Sequence, residues 1–318
     1  MLEQADLSLS LSKHGFKIVQ KQFRRRLYEL EQRAFEAKLP SMIVFEGWDA
    51  AGKGTTIREI TRRLDARGFK VLPIQAARTH EKQFPWLWRF WMKIPRYGQI
   101  AIFDRSHYGR VLIERVEGLT SMANWIRAYE EINDYERTLA ADGMIFTKFW
   151  LHISREEQLR RFVALSSKKK TAWQVSAEDW ERFHKYDQYL AAVRDMINNT
   201  HTPHAPWTVV PATSRYYRLY FVYRTLIATY EKALDLAPST WQPPEELEAA
   251  ALEKKAAKAA RKAAKKAAKE AARLEAQESE DPDEAETPAQ PGADGPAGPD
   301  ASPVATAAEE ESEHAGNG

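Results

Sequence analysis

The segment "EGWDAAGKGTT", residues 46–56, constrains the fold more than any other part of the sequence. Gly47, four further residues, Gly52 and Lys53 form the G-x-x-x-x-G-K pattern of a phosphate-binding loop, which connects a buried strand to a helix. Backbone N–H groups and the lysine of such a loop surround phosphate oxygens. Two positions are unusual. Gly54 stands where Ser or Thr normally offers a hydroxyl to Mg²⁺, and Asp49 places a carboxylate inside the loop.

The rest of the chain alternates short apolar segments with helical patterns. The predicted strands are 41–47, 69–74, 99–106, 143–154 and 207–212, and the predicted helices are 16–38, 55–68, 121–140, 155–165, 177–199 and 213–235. This alternation predicts an α/β fold with a parallel sheet sandwiched by helices. Ligands of such folds bind beyond the carboxyl ends of the strands, where "EGWDAAGKG" and "DRSHYGR" are both expected.

The composition excludes several classes of site. The 318 residues include no cysteine, so disulfides, Cys-ligated zinc, iron–sulfur clusters and a thiol nucleophile are excluded. The N-terminal residues lack the pattern of a secretory signal, and no segment approaches the ~20 apolar residues of a membrane span. We therefore expect a cytoplasmic protein without a membrane partner. The net charge of +2 combines a basic body with an acidic C-terminal tail.

The same composition divides the chain into four regions. They are predicted as an N-terminal helical extension at 1–40, a P-loop domain at 41–236, a linker and Lys/Ala-rich helix at 237–277, and a disordered acidic tail at 278–318. The first helix is expected to pack on the core through Ile18, Phe23, Leu27, Leu30 and Phe35. The Lys/Ala-rich helix has no wide stripe of large apolar residues, so it is expected to be solvated.

A second polar motif, "IAIFDRSHYGR", ends a predicted strand in Asp104, followed by Arg105 and Arg110. A P-loop protein places its Mg²⁺-binding Walker-B acid at such a position. The alternative is that Asp104 only caps the next helix. If Asp49 projects towards Asp104, the two carboxylates hold Mg²⁺ between them and a hydroxyl at position 54 is dispensable. Gly54 then lets a phosphate chain pass close to the backbone.

Taken together, the motifs resemble one family. "EGWDAAGKG", "LWRFW", "FDRSHYGRVLIERVEG", "KFWLHISREEQLRRF" and "TPHAPWTVV" follow the order of the polyphosphate kinase 2 family and look most like its polyphosphate:AMP phosphotransferase branch. The resemblance implies a P-loop kinase-like fold with a helical lid at about 160–180. It also implies Mg²⁺-dependent phosphoryl transfer between inorganic polyphosphate and an adenine nucleotide (AMP, ADP or ATP).

The predicted site residues follow from these motifs and from the resemblance. The catalytic residues are Asp49, Lys53, Asp104 and Arg105, of which Asp49 and Asp104 bind the metal. The phosphate-binding residues are Gly47, Ala50, Ala51, Gly52, Gly54, Thr55, Arg110, Arg160, Arg161 and Lys168. The nucleotide-binding residues are Arg78, Thr79 and Glu114.

The lid departs from the family pattern. Leu165, Thr171 and Gln174 stand where the family usually has Arg, Lys and Lys. A lid arginine normally neutralises the transferring phosphoryl group. One alternative is that the lysines at 168–170, Arg160 or Arg161 replace this arginine. The other is that the enzyme is slow or acts on a different substrate. Two alternatives stay open: an ATP-dependent nucleotide kinase, and a catalytically weak polyphosphate- or nucleotide-binding protein. We expect a homo-oligomer and no nucleic-acid partner.

Three further features allow two interpretations each. Arg62, Arg63 and Lys70 either line a polyphosphate channel or form a solvated surface. Trp88 and Trp91 either stack on a base or, as we prefer, pack against the domain or a partner subunit. The cations of residues 254–269 either increase affinity for long polyphosphate or belong to a solvated spacer whose charge the acidic tail offsets.

Overall fold

Five parallel strands position the phosphate loop in the computed structural model, which describes residues 1–278. The strands are β1 (Ser41–Gly47), β2 (Phe69–Pro73), β3 (Ile100–Asp104), β4 (Ile145–His152) and β5 (Trp207–Pro211). They lie in the order β2-β3-β1-β4-β5, and each neighbouring pair is parallel. The central strand β1 is buried along nearly all of its length, which explains its continuous apolar sequence.

Helices connect and cover the strands. They are α1 (Lys13–Glu36), α2 (Lys53–Thr61), α3 (Trp88–Trp91), α4 (Ile113–Val116), α5 (Met122–Ala141), α6 (Arg155–Ser166), α7 (Ala177–His184), α8 (Tyr186–Thr200), α9 (Arg215–Ala233) and α10 (Pro244–Glu278). The predicted α/β fold, a parallel sheet between helices, is confirmed. Two helix predictions were wrong in extent. The helix after the loop ends at Thr61 rather than Gly68, and the segment 177–199 is two helices that meet at Lys185.

Helix α1 packs against α9 through aromatic side chains. Phe23 stacks on Tyr223 with ring centroids 5.3 Å apart, and Phe16, Leu27 and Leu30 are buried beside it. The prediction for Phe35 was wrong, because its side chain is 55% exposed. Ala34, four residues after Leu30, is buried instead, which is the position that helical spacing places on the inner face.

The chain divides into a first unit, Met1–Ala260, and a second that begins at Arg261. Within the first unit, the segment before and inside α10 packs more closely than expected. Trp241 lies 4.5 Å from Phe23 between ring centroids, and Leu247 is fully buried. Glu248 accepts a 2.8 Å hydrogen bond from the Ser12 hydroxyl and one from the Ser12 N–H. The expectation of a solvated helix therefore fails for the first two turns of α10, although residues 252–274 are exposed.

The predicted disordered tail, 278–318, lies outside the described residues apart from Glu278, which ends α10. Within residues 1–278, none of the helices combines the length and the apolar character needed to cross a membrane.

Candidate active site

The phosphate loop connects β1 to α2, as the sequence predicts. The Lys53 ammonium group folds back over it and donates to the Gly47 carbonyl at 2.8 Å and to the Trp48 carbonyl at 3.1 Å. Gly52, immediately before α2, has φ +103°, in the region that favours glycine. The predicted loop residues Ala50, Ala51 and Thr55 occupy the turn and the first turn of α2. The Ala51 N–H donates to the Trp48 carbonyl at 3.1 Å, whereas N–H groups at the start of a helix favour an anion.

Asp49 lies where three cations converge. Its Oδ1 accepts a 2.5 Å hydrogen bond from Arg105, its Oδ2 accepts one of 3.0 Å from Arg182, and Lys53 Nζ is 4.0 Å away. Burial alone would raise the pKa of Asp49, but Arg105, Lys53 and Arg182 outweigh burial and hold the pKa at about 2. Asp49 is therefore ionised throughout the neutral range and is a poor proton acceptor.

Arg182 was missed by the sequence analysis. It lies on α7, in "WERFH", and its Nη2 also pairs with Asp179 one turn earlier. An arginine in an amphipathic helix ordinarily indicates a solvated position. Only the fold, which brings residue 182 to a partner 133 positions away, places it in the site.

Asp104 and Arg105 follow β3 at the same edge of the sheet as the loop, because Asp104 is in register with Phe45 of β1. Arg105 has φ +62°, which is uncommon for a residue with a side chain and directs its guanidinium to Asp49. Within residues 1–278, the Asp104 carboxylate has no cationic side chain within 4.0 Å. The alternative of a helix cap is also not seen, since Ser106 caps the short helical turn at 107–110.

The surroundings of Asp104 fit a hard divalent cation. Within the part of the chain that the structure describes, no group of three or more His, Cys, Asp or Glu side chains could hold a metal. A cation that binds through one or two carboxylates together with substrate phosphates does not need such a group. Gly54 leaves space beside the carboxylate, because a Cβ at position 54 would lie 3.8 Å from Asp104 Oδ2.

The lid cations predicted from the sequence differ in their contacts. All five N–H groups of Arg161 have protein acceptors: Glu157 and the carbonyl oxygens of Ala50, Ala51, Ala212 and Thr213, at 2.6–3.2 Å. Arg161 thus braces the loop from outside and has no N–H group left for a phosphate. Arg160 pairs with Glu157 at 2.7 Å, while Lys168 is exposed.

Arg218, a second residue that the sequence analysis missed, supports the loop from the other side. Its buried guanidinium donates to Ala51 O at 2.7 Å, to Thr56 Oγ1 at 2.9 Å and to Thr55 Oγ1 at 3.1 Å. Burial, with added repulsion from Arg161 and Arg215, lowers the pKa of Arg218 to about 9. Within residues 1–278, no carboxylate pairs with the Arg218 guanidinium. Its positive charge therefore favours binding of an anion at this end of the loop.

The contact between Gly52 and Arg218 yields a prediction about loop integrity. A Cβ at position 52 would lie 2.5 Å from Arg218 Nη1, at a φ that residues with side chains rarely adopt. We expect Gly52→Ala to lower the free energy of unfolding by about 1–3 kcal/mol. Gly54→Ala is the matched control, since its Cβ would make only an ordinary van der Waals contact, 3.8 Å from Asp104 Oδ2, and Ala favours a helix by up to ~1 kcal/mol. Urea unfolding of both variants checks this, and equal stability of the two would contradict it.

A cavity of about 990 Å³ opens beside the loop. Its wall combines aromatic side chains of the 84–90 segment with the charged residues of the site; the lining includes Asp49, Phe84, Trp86, Phe90, Arg105, Arg110, Glu114 and Arg182. Arg110 pairs with Glu114 at 2.7 Å and lies over Trp86 at 4.9 Å. Arg78 and Thr79 are exposed, and the neighbouring Ala76 and Ala77 line the cavity instead. The cavity therefore does not support the prediction that Arg78 and Thr79 bind the nucleotide.

The two tryptophans discussed above pack within the domain. Trp88 stacks on Phe84 at 4.2 Å, and Trp91 meets the edge of Tyr135 at 4.9 Å. Neither lines the cavity, which agrees with the preferred packing interpretation.

A buried polar network lies behind the cavity and fixes the segment after Arg105. Lys148 on β4 pairs with Glu136 on α5 at 2.7 Å, and Glu136 in turn contacts Tyr108 at 2.7 Å and His107 at 3.2 Å. Ser106 donates to the buried Glu46 at 2.7 Å. Breaking one of these pairs would leave a buried charge without its partner, which costs free energy of folding. The network therefore fixes the backbone that carries Asp104 and Arg105.

Comparisons with known proteins show which family the chain resembles. Residues 10–236 match the family model described as Polyphosphate kinase 2 (PPK2). A polyphosphate:AMP phosphotransferase of Pseudomonas aeruginosa is 42% identical over 233 residues, which are 73% of this chain and 47% of the relative. An AMP/ADP-polyphosphate phosphotransferase of Meiothermus ruber is 34% identical over 208 residues, 65% of this chain and 78% of the relative.

A solved structure is similar as well. The crystal structure of polyphosphate kinase 2 from Arthrobacter aurescens TC1 matches with a TM-score of 0.71 and 28% identity, over 80% of this chain and 93% of that one. The chain spans about half the length of the Pseudomonas relative.

Proposed function

The chain belongs to the polyphosphate kinase 2 family, as the sequence resemblance predicted, and from that premise we propose that it transfers phosphoryl groups between inorganic polyphosphate and a nucleoside mono- or diphosphate. One observation carries the proposal: Lys53, Arg105 and Arg182 converge on the point where the phosphate loop meets the 990 Å³ cavity. The names of the relatives, which include AMP, ADP and polyphosphate, support the choice of substrates.

Electrostatic repulsion is the main obstacle to the reaction, because polyphosphate and nucleotide are both polyanions. The three converging cations reduce this repulsion, and they are fixed before substrates arrive by their contacts with Asp49 and the loop. The acceptor is a phosphate oxygen that is already ionised at neutral pH. A general base is therefore unnecessary, which agrees with an Asp49 pKa of about 2.

We propose Mg²⁺ as the divalent cation, held by Asp104 with Asp49 nearby. When bound, it would neutralise charge on the bridging and transferred phosphate oxygens. Both carboxylate oxygens of Asp49 contact guanidinium groups, whereas Asp104 faces the space beside Gly54. Asp104 is accordingly the principal proposed ligand, and Asp49 chiefly positions Arg105 and Arg182.

Arg182 is our candidate for the cation that the altered lid lacks at Leu165. It reaches the site from α7, within the predicted lid, and lines the cavity together with Arg105. This assignment replaces Arg161, which braces the loop, and Arg160, which pairs at the surface. Lys168 remains a predicted phosphate contact.

The nucleotide is assigned to the cavity. The aromatic faces of Phe84, Trp86 and Phe90 suit a base, and Arg110, paired with Glu114, suits a phosphate or ribose group. We propose AMP or ADP as acceptor, on the wording of the relatives' names.

The test is a set of paired assays with the purified full chain, Mg²⁺ and AMP or ADP. Polyphosphate as donor should give ADP or ATP, whereas ATP as donor should not phosphorylate AMP. Turnover with ATP alone would favour the ordinary nucleotide kinase. Binding of polyphosphate without turnover would favour the catalytically weak binding protein, for which the lid departures at Leu165, Thr171 and Gln174 argue.

Two further proposals come from the sequence. We retain a cytoplasmic location, on the absence of cysteine, and a homo-oligomer, which the exposed apolar side chains Met92, Leu119, Met122 and Ile126 support. Light scattering of the purified chain would measure the second.

A further inference from the structure

The tryptophan inside the phosphate loop, Trp48, is held on two sides. Its ring stacks on Tyr186 with centroids 4.2 Å apart and planes 14° from parallel. Its indole N–H donates to His152 Nδ1 at 3.1 Å, at the end of β4. Trp48 and Tyr186 are 6% and 7% exposed, so the stack is largely shielded from water. The loop is thereby tied both to the sheet and to the residue that begins α8.

Tyr186 marks the point where the segment that contains Arg182 joins the core. Helix α8, which Tyr186 begins, has six buried residues and belongs to the core. Helix α7, which precedes it, is different. Among the eight residues of α7, all of which the structure describes, Phe183 is the one that is buried. Phe183 packs on Phe162 of α6, with ring centroids 6.0 Å apart. Packing against the core therefore reaches α7 chiefly through its junction with α8.

The stack and the arginine contact are neighbours in the loop. Residues 182 and 186 lie on either side of Lys185, where α7 ends and α8 begins. They contact consecutive loop residues, because Arg182 Nε donates to Asp49 Oδ2 at 3.0 Å and the Tyr186 ring stacks on Trp48. A shift of Tyr186 on Trp48 would therefore move Arg182 relative to Asp49.

The junction between the two helices is also fixed by Glu117, which directly follows α4. This carboxylate pairs with Lys185 and accepts a 3.0 Å hydrogen bond from the Tyr189 hydroxyl. These two partners lie on either side of Tyr186 in the chain. The ring that stacks on Trp48 is thus held in place from both directions along the backbone.

We propose that Tyr186 is a positioning residue for phosphoryl transfer, and that its stack on Trp48 sets where Arg182 stands over the phosphate loop. The inference rests on the proposed function, which assigns Arg182 to the phosphate in transfer. Tyr186 is not among the described residues that line the cavity, so it acts through Trp48 and Arg182 and not on the substrate. The stack needs the aromatic ring of Tyr186 and not its hydroxyl.

The experiment compares Tyr186→Leu with Tyr186→Phe in the full chain, using steady-state rates with polyphosphate, Mg²⁺ and AMP or ADP. Loss of the ring should lower kcat about 10²-fold, the scale of a small misplacement near the reacting atoms. The KM of the nucleotide should change by less than about twofold, because uniform binding is untouched. Tyr186→Phe keeps the stack and should retain kcat within about twofold.

A double-mutant cycle tests whether Tyr186 acts through Arg182. Arg182→Ala should lower kcat by about 10³-fold, as the loss of an arginine on a transferring phosphoryl group does. Tyr186→Leu added to Arg182→Ala should lower kcat by less than about twofold more, because no arginine is left to misplace. Independent roles would instead make the two losses multiply.

The matched control is Tyr217→Leu on α9. Tyr217 is 8% exposed, close to the value for Tyr186, and its ring packs on Tyr220 and Phe221 of the same helix. We expect its kcat to equal that of the unaltered protein. Glu117→Gln loosens the junction without truncating a buried ring, so it replaces Tyr186→Leu if that variant does not fold. It should lower kcat at least about fivefold, and only while Arg182 is present.

Amide hydrogen exchange of residues 177–184 measures the junction without turnover. Exchange should be faster in Tyr186→Leu and unchanged in Tyr186→Phe. Unchanged exchange and kcat in Tyr186→Leu, an equal loss in Tyr186→Phe or in the control, a raised nucleotide KM at normal kcat, or losses that multiply in the cycle would each overturn the proposal. Failure of the proposed function looks different, because the unaltered protein would then transfer no phosphate while the exchange still responds to loss of the ring.

Discussion

Asp104→Asn is expected to reduce polyphosphate-dependent turnover by at least about 10²-fold, the scale of losing one electrostatic group that acts on the transition state. The amide keeps the shape of the side chain but removes the charge that would bind a divalent cation. Steady-state rates over a range of Mg²⁺ concentrations measure the loss, which should be greatest when Mg²⁺ is limiting. High Mg²⁺ should recover only part of the rate.

The fold should tolerate this substitution. The Asp104 carboxylate has no ion-pair partner among residues 1–278, so its removal leaves no buried cation without a partner. We expect the free energy of unfolding to change by less than ~1 kcal/mol. Asp134→Asn is a suitable control, since among the described residues the ion-pair partner of Asp134 is Arg137, at an exposed position on α5. Near-normal rates of folded Asp104→Asn at limiting Mg²⁺ would show that Asp104 is not a metal ligand.

The sequence predicted the elements that carry the site because the local patterns were strong. The segment at 41–47 is apolar because β1 is central and buried, and the loop glycines occupy backbone geometries that a side chain would disturb. Parallel pairing then places Asp104 level with Phe45, so two motifs about fifty residues apart had to meet at one edge. Strand positions and the meeting of the two motifs were therefore predictable.

The arginines that complete the site could not be predicted in the same way. Arg182 and Arg218 meet the loop across 133 and more than 160 positions of sequence, and both lie in helices whose patterns also suit a surface. Charge alone does not distinguish a solvated arginine from one that the fold brings to a carboxylate. For the same reason Arg161 seemed available to phosphate, although its guanidinium is committed to backbone carbonyl groups.

The start of α10 was misjudged for a different reason. Its apolar contacts are made by Leu247 and Ala251, one turn apart, and by Trp241 before the helix. Alanine recurs throughout the segment, so two buried positions do not stand out from the rest. Packing of small residues depends on the partner surface, which no local pattern describes.

Asp49→Asn is expected to abolish turnover while leaving phosphate binding intact. Asp49 is the anion on which Arg105, Arg182 and Lys53 converge, so its neutralisation frees three cations at the loop. Tripolyphosphate without metal should bind the variant at least as tightly as the unaltered protein. If the variant binds tripolyphosphate but does not turn over, the loss of activity reflects the displacement of Arg105 and Arg182 and the loss of the Asp49 charge. Calorimetric titration together with steady-state rates separates these effects.

The low pKa of Asp49 determines how the stability of the protein and its rate of turnover depend on pH. Its folded pKa of about 2 lies below the ordinary 3.8, so its contribution to stability is present above pH 3.8 and is lost as the pH falls through about 2. Between pH 5 and 9 the carboxylate does not titrate, and we expect no inflection from it in the rate profile. Asp49→Asn should instead be less stable by about 1–3 kcal/mol at neutral pH, because three cations lose their partner.

Substitution of Gly54 tests whether the loop uses a hydroxyl or the Asp49 carboxylate. If this loop worked like a standard one, a hydroxyl at position 54 would supply a metal ligand and Asp49→Asn/Gly54→Ser would recover activity. We expect no recovery, because a side chain at position 54 enters the space 3.8 Å from Asp104 Oδ2, which we assign to the cation. Gly54→Ser alone should therefore also lower the rate and weaken the response to Mg²⁺. Restored turnover in the double variant, or full activity of Asp49→Asn, would show that the carboxylate inside the loop is dispensable.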